Sequence, residues 1–281
     1  MPVSAKSQQA CVVVPIYRST LLPYEQVALG RCDEVLDAHD VVLAKPASLD
    51  LTQVLKSHPR CRVEAFDDDY FKGVAGYNRL MLSDEFYARF EAYDYVLIHQ
   101  LDAFVFKDEL GHWCNQGYDY IGAPWLPDSS VPSPLDLLKA ATRRKLGRLV
   151  NRLDANAGGM HATQYMFAVG NGGFSLRRVQ SMRRALAALG SRTDDYRRAR
   201  MTLNSEDLFF SVEVNRYRRR LRIPDVGVAA GFSWERNPAV ARVLNGGSLP
   251  FGCHAWNKLH RDDWTPVFEQ FGYSLDRILD A

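Results

Sequence analysis

The sequence predicts an α/β fold with a mostly parallel central sheet covered by helices, and three observations carry that expectation. From residue 11 to residue 99, short apolar runs alternate with stretches of helical spacing, the pattern of strand–helix–strand units. Two of the runs, Cys11 to Ile16 and Tyr95 to Ile98, are apolar throughout, as in strands buried on both faces. Polar groups appear where the later run stops, at His99-Gln100-Leu101-Asp102. In an open α/β sheet, ligands gather outside the carboxyl ends of the strands.

The elements follow in order. Cys11 to Ile16 is the first strand, and Glu25 to Ala38 carries helical spacing through Val27, Leu29, Val35 and Leu36. Asp40 to Ala44 gives a second strand, Leu51 to Ser57 a short helix, and Arg62 to Phe66 a third strand before the acidic loop Asp67-Asp68-Asp69. Val74 to Phe90 reads as one or two helices leading to the strand at Tyr95. Beyond it the pattern is less regular. Apolar residues resume at Ala103 to Phe106, Tyr118 to Ile121 gives another strand, and Pro124 to Pro134 is a loop rich in proline and serine. No repeat or linker stands out, so one domain over residues 1–281 is expected, with an inserted loop and basic helix at 126–164.

A chain of 281 residues that is 47% hydrophobic can bury a large core. Its formal net charge of +2 gives no signal for nucleic acid. No apolar run approaches bilayer-spanning length, and MPVSAKSQQA lacks the apolar centre of a signal peptide. The five cysteines form no CxxC pair. An odd number in such a chain argues for free thiols in a reducing compartment, so a cytoplasmic location is expected.

Five segments carry polar groups that chemistry could use. Alternation puts Gln100 and Asp102 on one side of the chain with Leu101 turned away, which suits a hard cation bridging a carboxylate to a diphosphate. A polar strand end running into a turn is the plainer account. Gly172-Gly173, read as following a strand at Tyr165 to Val169, let a backbone approach a ligand or make a tight turn. Glu206 and Asp207 open a helix that Asn204 or Ser205 would cap, where the helix dipole alone favours acids. Tyr77-Asn78-Arg79 lies at a loop-to-helix region. His254, Trp256 and Lys258 sit in a segment otherwise short of structure.

In order and content these pieces resemble the GT-A class of nucleotide-sugar glycosyltransferases, in particular the β-1,4-galactosyltransferase type and a poorly characterised bacterial and fungal group related to it. The matching residues are Val14-Pro15-Ile16-Tyr17-Arg18, Tyr77-Asn78-Arg79, Gln100-Leu101-Asp102, Gly172-Gly173, Glu206-Asp207 and His254. The resemblance runs through about four-fifths of the chain. It implies a GT-A-like (Rossmann-like) domain that moves a hexose from a UDP-sugar to a saccharide hydroxyl with inversion. It also implies that Asp207 is the general base and that Glu206 holds the acceptor hydroxyls. Asp102 and His254 would hold Mn²⁺ or Mg²⁺, while Pro15, Tyr17, Arg18, Asn78 and Arg79 would form the nucleotide pocket. Lys258 would touch phosphate, and Gly172 and Gly173 would border the transferred sugar.

One position departs from the family pattern. Gln100 stands where the motif usually opens with a carboxylate. An amide still bonds a ribose hydroxyl but adds no charge to an ion, so weaker metal binding is expected and metal independence stays open. A catalytically silent relative that binds glycan or nucleotide in a polysaccharide-assembly complex is the alternative. A sugar nucleotidyltransferase would show a Gly-rich basic loop after the first strand, and PIYRSTLLPYE has none.

Residues 135–154 fall outside the resemblance. Apolar positions 135, 138, 146, 149 and 153 make the stripe of an amphipathic helix loaded with Lys139, Arg143, Arg144, Lys145, Arg148 and Arg152. Such a helix either packs its stripe on the domain or serves as a membrane-surface or anionic-partner element. In the second case it would bring the protein to the inner face of a membrane, where a lipid-linked saccharide is the acceptor.

Overall fold

The computed structural model describes residues 8–127, 131–150, 160–198 and 205–280. Its strands are β1 (Gln8–Pro15), β2 (Asp40–Pro46), β3 (Arg62–Phe66), β4 (Tyr93–His99), β5 (Ala103–Val105), β6 (Tyr120–Ile121), β7 (Phe174–Arg178), β8 (Ser233–Trp234) and β9 (Gly252–His254). Six of them form the central sheet in the order β3-β2-β1-β4-β7-β6, and three form a smaller sheet ordered β5-β9-β8. In the large sheet β3, β2, β1 and β4 run parallel, and β7 lies antiparallel between β4 and β6. The sheet is therefore mostly parallel, as the strand–helix alternation requires.

The uniformly apolar runs are buried on both faces. Along β1, Val12 and Val14 join a core with Leu29 and Cys32 of α1 (Pro23–Val35). Cys11 and Val13 point the other way, to Leu80 and Met81 of α3 (Gly73–Met81) and Phe86 of α4 (Asp84–Ala88). On the α1 face, α2 (Thr52–Ser57) links β2 to β3 and puts Val54 into the same core. A third core of Phe104, Trp234, Trp256 and Phe268 lies under the small sheet. Next along the chain come α5 (Leu110–Asn115), α6 (Pro134–Leu149), α7 (Val179–Ala188), α8 (Gly190–Arg198) and α9 (Glu206–Leu208). All five cysteines are free and buried.

Four expectations need correction. Tyr165 to Val169 is not a strand. Phe167 sits at φ 55°, in the left-handed region that an extended strand cannot use, and this stretch pairs with the loop through Trp125 instead. Pro134 does not end a loop but opens α6, where Ser133 and Asp136 form a capping box. Tyr77-Asn78-Arg79 lies inside α3 rather than at its start. The segment around His254 is ordered as β9, whose Ala103↔His254 pairing with β5 is only three residues long. A strand that short leaves no periodicity to read.

Candidate active site

Three backbone hydrogen bonds bring the sequence motifs together beyond the carboxyl end of β4. Gln100 N–H donates to the Gly173 carbonyl at 2.8 Å, Ala103 N–H to Gln100 at 2.9 Å, and Ala255 N–H to Asp102 at 2.9 Å. The QLD turn is thus tied to the glycine pair on one side and to the end of β9 on the other. Tyr17, Asn78, Gln100, Gly172, Gly173, Glu206, Asp207 and His254 line one cavity of ≈ 400 Å³. Asp102 joins it through His254, and Lys258 through Asp102.

Three candidates are not brought in. Pro15 is buried at the end of β1. Arg18 is half-exposed, 3.8 Å from Glu25. Arg79 follows Asn78 by about 100° of helix rotation, and its guanidinium donates to the Asp69 carbonyl at 2.7 Å.

His254 is the hub of one half of the site. Its Nε2 lies 3.0 Å from Asp102 Oδ1 and 3.1 Å from Gln100 Oε1, and its Nδ1 lies 3.3 Å from Glu235 Oε1. Lys258 donates to the other Asp102 oxygen at 2.7 Å. Burial alone would depress the imidazole, but the flanking carboxylates Asp102 and Glu235 override it and push His254 up to about 10. Burial opposes ionisation of Asp102 as well, yet His254 and Lys258 hold it well below the usual carboxylate range. Asn171, at φ 68°, turns the chain so that its side chain accepts from Gly173 N–H at 2.9 Å.

A buried guanidinium organises the other half. Arg177 Nη2 donates to Glu206 Oε1 at 2.9 Å, and Nη1 lies 2.9 Å from Oε2. Arg177 also donates to Tyr87 Oη, Ser175 Oγ and the Gly172 carbonyl, with its guanidinium 5.4 Å and 5.8 Å from the ring centres of Tyr120 and Phe210. The Asn78 side-chain oxygen accepts from Glu206 N–H at 3.2 Å, so α3 holds the start of α9. Ser205 is the N-cap by position, but its hydroxyl donates to Asp207 Oδ1, which also accepts from Leu208 N–H.

After Leu208 the chain makes a π-helical turn, Phe209–Glu213, a form common at functional sites. Burial pushes the Asp207 carboxyl up, against the pull of Ser205 and the Leu208 N–H, and the Glu235 charge adds to the rise.

The glycine pair is explained by these neighbours. A Cβ at Gly172 would overlap Glu206 Oε1, and one at Gly173 would overlap the His254 ring. Each glycine clears the approach of one site residue.

Asp207 also faces a second cavity of ≈ 540 Å³, lined by Trp125, Tyr165 and Arg236 among others. Asn171, Ser205, Asp207 and Glu235 border both cavities. Sequence reasoning missed Arg177 and Glu235. In FSLRR, Ser175 and Arg177 alternate with Phe174 and Leu176 like an outward polar face, which hides the burial of Arg177, and Glu235, after the two-residue β8, leaves no mark either.

For a divalent ion the donor set is narrow but compatible. Asp102 Oδ1 and His254 Nε2 stand at the separation that two ligands about 2.1 Å from one ion leave between them, with the Gln100 amide oxygen alongside. Glu235 on Nδ1 stands where a carboxylate would orient that imidazole toward an ion. Among the described residues no group of three or more His, Cys, Asp or Glu could hold a metal, so any ion would rest on this pair and an amide.

A family model described as "Protein of unknown function (DUF5672)" matches residues 60–254. No curated protein sequence matches the chain. Among solved structures, the bifunctional glycosyltransferase WbbM aligns with a TM-score of 0.51 at 11% identity over 91% of this chain, which spans 47% of that protein. The galactosyltransferase LgtC, solved in complex with donor and acceptor sugar analogues, aligns with a TM-score of 0.51 at 13% identity over 95% of both chains. At such identities the likeness is one of fold, and the fold is that of GT-A glycosyltransferases.

Proposed function

The chain belongs to the DUF5672 family, and we propose that it is a glycosyltransferase moving a hexose from a nucleotide diphosphate sugar to a saccharide hydroxyl. The observation that carries this reading is the position of Asp207 on a wall common to two cavities. Transfer between two substrates needs two pockets meeting at one base. The cavity bounded by Tyr17, Asn78 and Gln100 takes the donor, and the one bounded by Trp125 and Tyr165 offers aromatic faces to the acceptor.

In the reaction the acceptor oxygen attacks the anomeric carbon as its proton passes to Asp207. The bond from that carbon to the diphosphate oxygen breaks, and the nucleoside diphosphate leaves with inversion at the sugar. Lys258 and protonated His254 supply positive charge toward the diphosphate. Glu206, engaged by Arg177, positions the start of α9 and forms the cavity wall against Gly172; this replaces the acceptor-holding role implied by resemblance. Mn²⁺ or Mg²⁺ would be held by Asp102 and by His254 once its Nε2 has given up its proton, and would then replace the imidazolium charge toward the leaving group.

UDP is the proposed nucleotide, in keeping with the resemblance to galactosyltransferases. The proposed acceptor is a saccharide on a lipid carrier, within polysaccharide assembly at the inner face of a membrane. Thermal shift with a panel of nucleoside diphosphates tests the donor half, since a ligand of the native state raises its stability. UDP is expected to raise the melting temperature. No response to any nucleoside diphosphate, with or without Mn²⁺, sinks the reading.

A further inference from the structure

Helix α6 presents its amphipathic character in reverse. Arg144 donates to the Met166 carbonyl at 3.1 Å and Arg148 to Gln164 at 2.9 Å, while Arg216 donates to the Arg148 carbonyl at 2.8 Å. Arg144 and Arg148 therefore face the body, above a cavity of ≈ 540 Å³. The leucines face out: Leu135, Leu138, Leu146 and Leu149 are 57%, 64%, 60% and 52% exposed. At about 100° per residue these four fall within an arc of about 80°. Lys145 borders one edge of that arc and Lys139 and Arg143 the other, all three exposed. Over the described residues the helix thus does not pack its stripe on the domain, Arg152 and Leu153 lying outside them, and singly scattered surface leucines do not account for four along one face, two on each side of the exposed Thr142.

We propose that α6 docks the protein on an anionic lipid surface, lying in the plane of the interface with its leucine row in the acyl boundary and its flanking cations among the headgroups. Such a row bounded by basic residues is the signature of an interfacial helix. Charge selects the occupant. A second copy laid face to face would oppose Lys139, Arg143 and Lys145 with the same cations, whereas anionic headgroups complement them. Among the described residues no helix is long and apolar enough to cross a membrane, so α6 lies on the bilayer. The docking stands independently of glycosyl transfer.

Co-sedimentation of the full chain with vesicles tests it, comparing phosphatidylcholine with phosphatidylcholine containing phosphatidylglycerol. The protein is expected to bind the anionic vesicles and to bind neutral ones far more weakly. The triple variant Lys139→Gln/Arg143→Gln/Lys145→Gln is expected to lose roughly fivefold in partition for each charge removed. Leu138→Glu/Leu146→Glu is expected to abolish binding while its unfolding curve stays like that of the wild type, because both positions are exposed. Leu146→Trp is expected to blue-shift its emission on anionic vesicles, which adsorption by charge alone would not cause. Absence of sedimentation with either vesicle, binding unchanged in the leucine variants, or a dimer in sedimentation equilibrium that those variants dissolve overturns the proposal.

Discussion

Arg177 and Glu206 form an ion pair that is shut off from solvent, with side chains 0% and 3% exposed and guanidinium nitrogens 2.9 Å from both carboxylate oxygens. The pair joins β7 to α9 and also holds the Gly172 carbonyl, so it sets the distance between the glycine turn and the acids that follow Ser205. Removing one partner strands a buried charge, which typically costs about 3–5 kcal/mol. Arg177→Met and Glu206→Gln are both expected to show losses of that size in denaturant unfolding. If Glu206 instead served only to hold an acceptor, Glu206→Gln would keep wild-type stability and raise KM for the acceptor.

The glycine pair makes a second test. Gly173→Ala would push a methyl group into the His254 ring, and overpacking of this kind costs about 1–3 kcal/mol. Gly111, in α5, has open space where its Cβ would go, so Gly111→Ala is the control and is expected to match or exceed wild-type stability. Thermal unfolding should show a loss in Gly173→Ala and none in Gly111→Ala.

Much of this architecture was legible in the sequence. The β-branched runs of β1 and β2 and the apolar run of β4 could be buried on both faces only in a covered parallel sheet, and they are. The small sheet was not legible, because β5, β8 and β9 are two or three residues long and periodicity needs more. Within the site, Asn78 and Arg79 are neighbours in sequence, but helix rotation sends only Asn78 into the cavity. Glu235 reaches His254 through tertiary packing of a two-residue strand, which no local pattern announces.

Donor binding separates the two kinds of basic residue. Lys258 lies 2.7 Å from Asp102 Oδ2 beside His254, whereas Arg79 is spent on the Asp69 carbonyl outside the cavity. Lys258→Ala is expected to weaken UDP binding by about 1.5–3 kcal/mol, the usual range for a hydrogen bond to a charged group. Arg79→Ala is expected to leave it nearly unchanged, as calorimetry would read directly.

Asp207 should also cost stability. Its folded carboxyl titrates above the ordinary value because it is buried, so the unfolded state gives up its proton at lower pH. Stability therefore falls as pH rises from about 3.9, the unpaired carboxyl value, through the folded value, and stays lowered at neutral pH. Asp207→Asn keeps an oxygen for Ser205 and Leu208 N–H and removes that cost. The variant is expected to melt above the wild type at pH 7, with the difference vanishing in acid. A variant no more stable than the wild type at pH 7 would tell against a desolvated Asp207 carboxylate.

The transfer reaction itself is the most direct test. Wild-type protein and Asp207→Asn would be incubated with a panel of nucleotide sugars, UDP-sugars foremost, and a saccharide acceptor, and the released nucleoside diphosphate measured. Acceptor-dependent UDP release by the wild type, reduced roughly 10²–10⁴-fold in Asp207→Asn with UDP binding intact, is the predicted result. Full turnover in Asp207→Asn, or a wild type that binds UDP but never transfers from any donor, would contradict it.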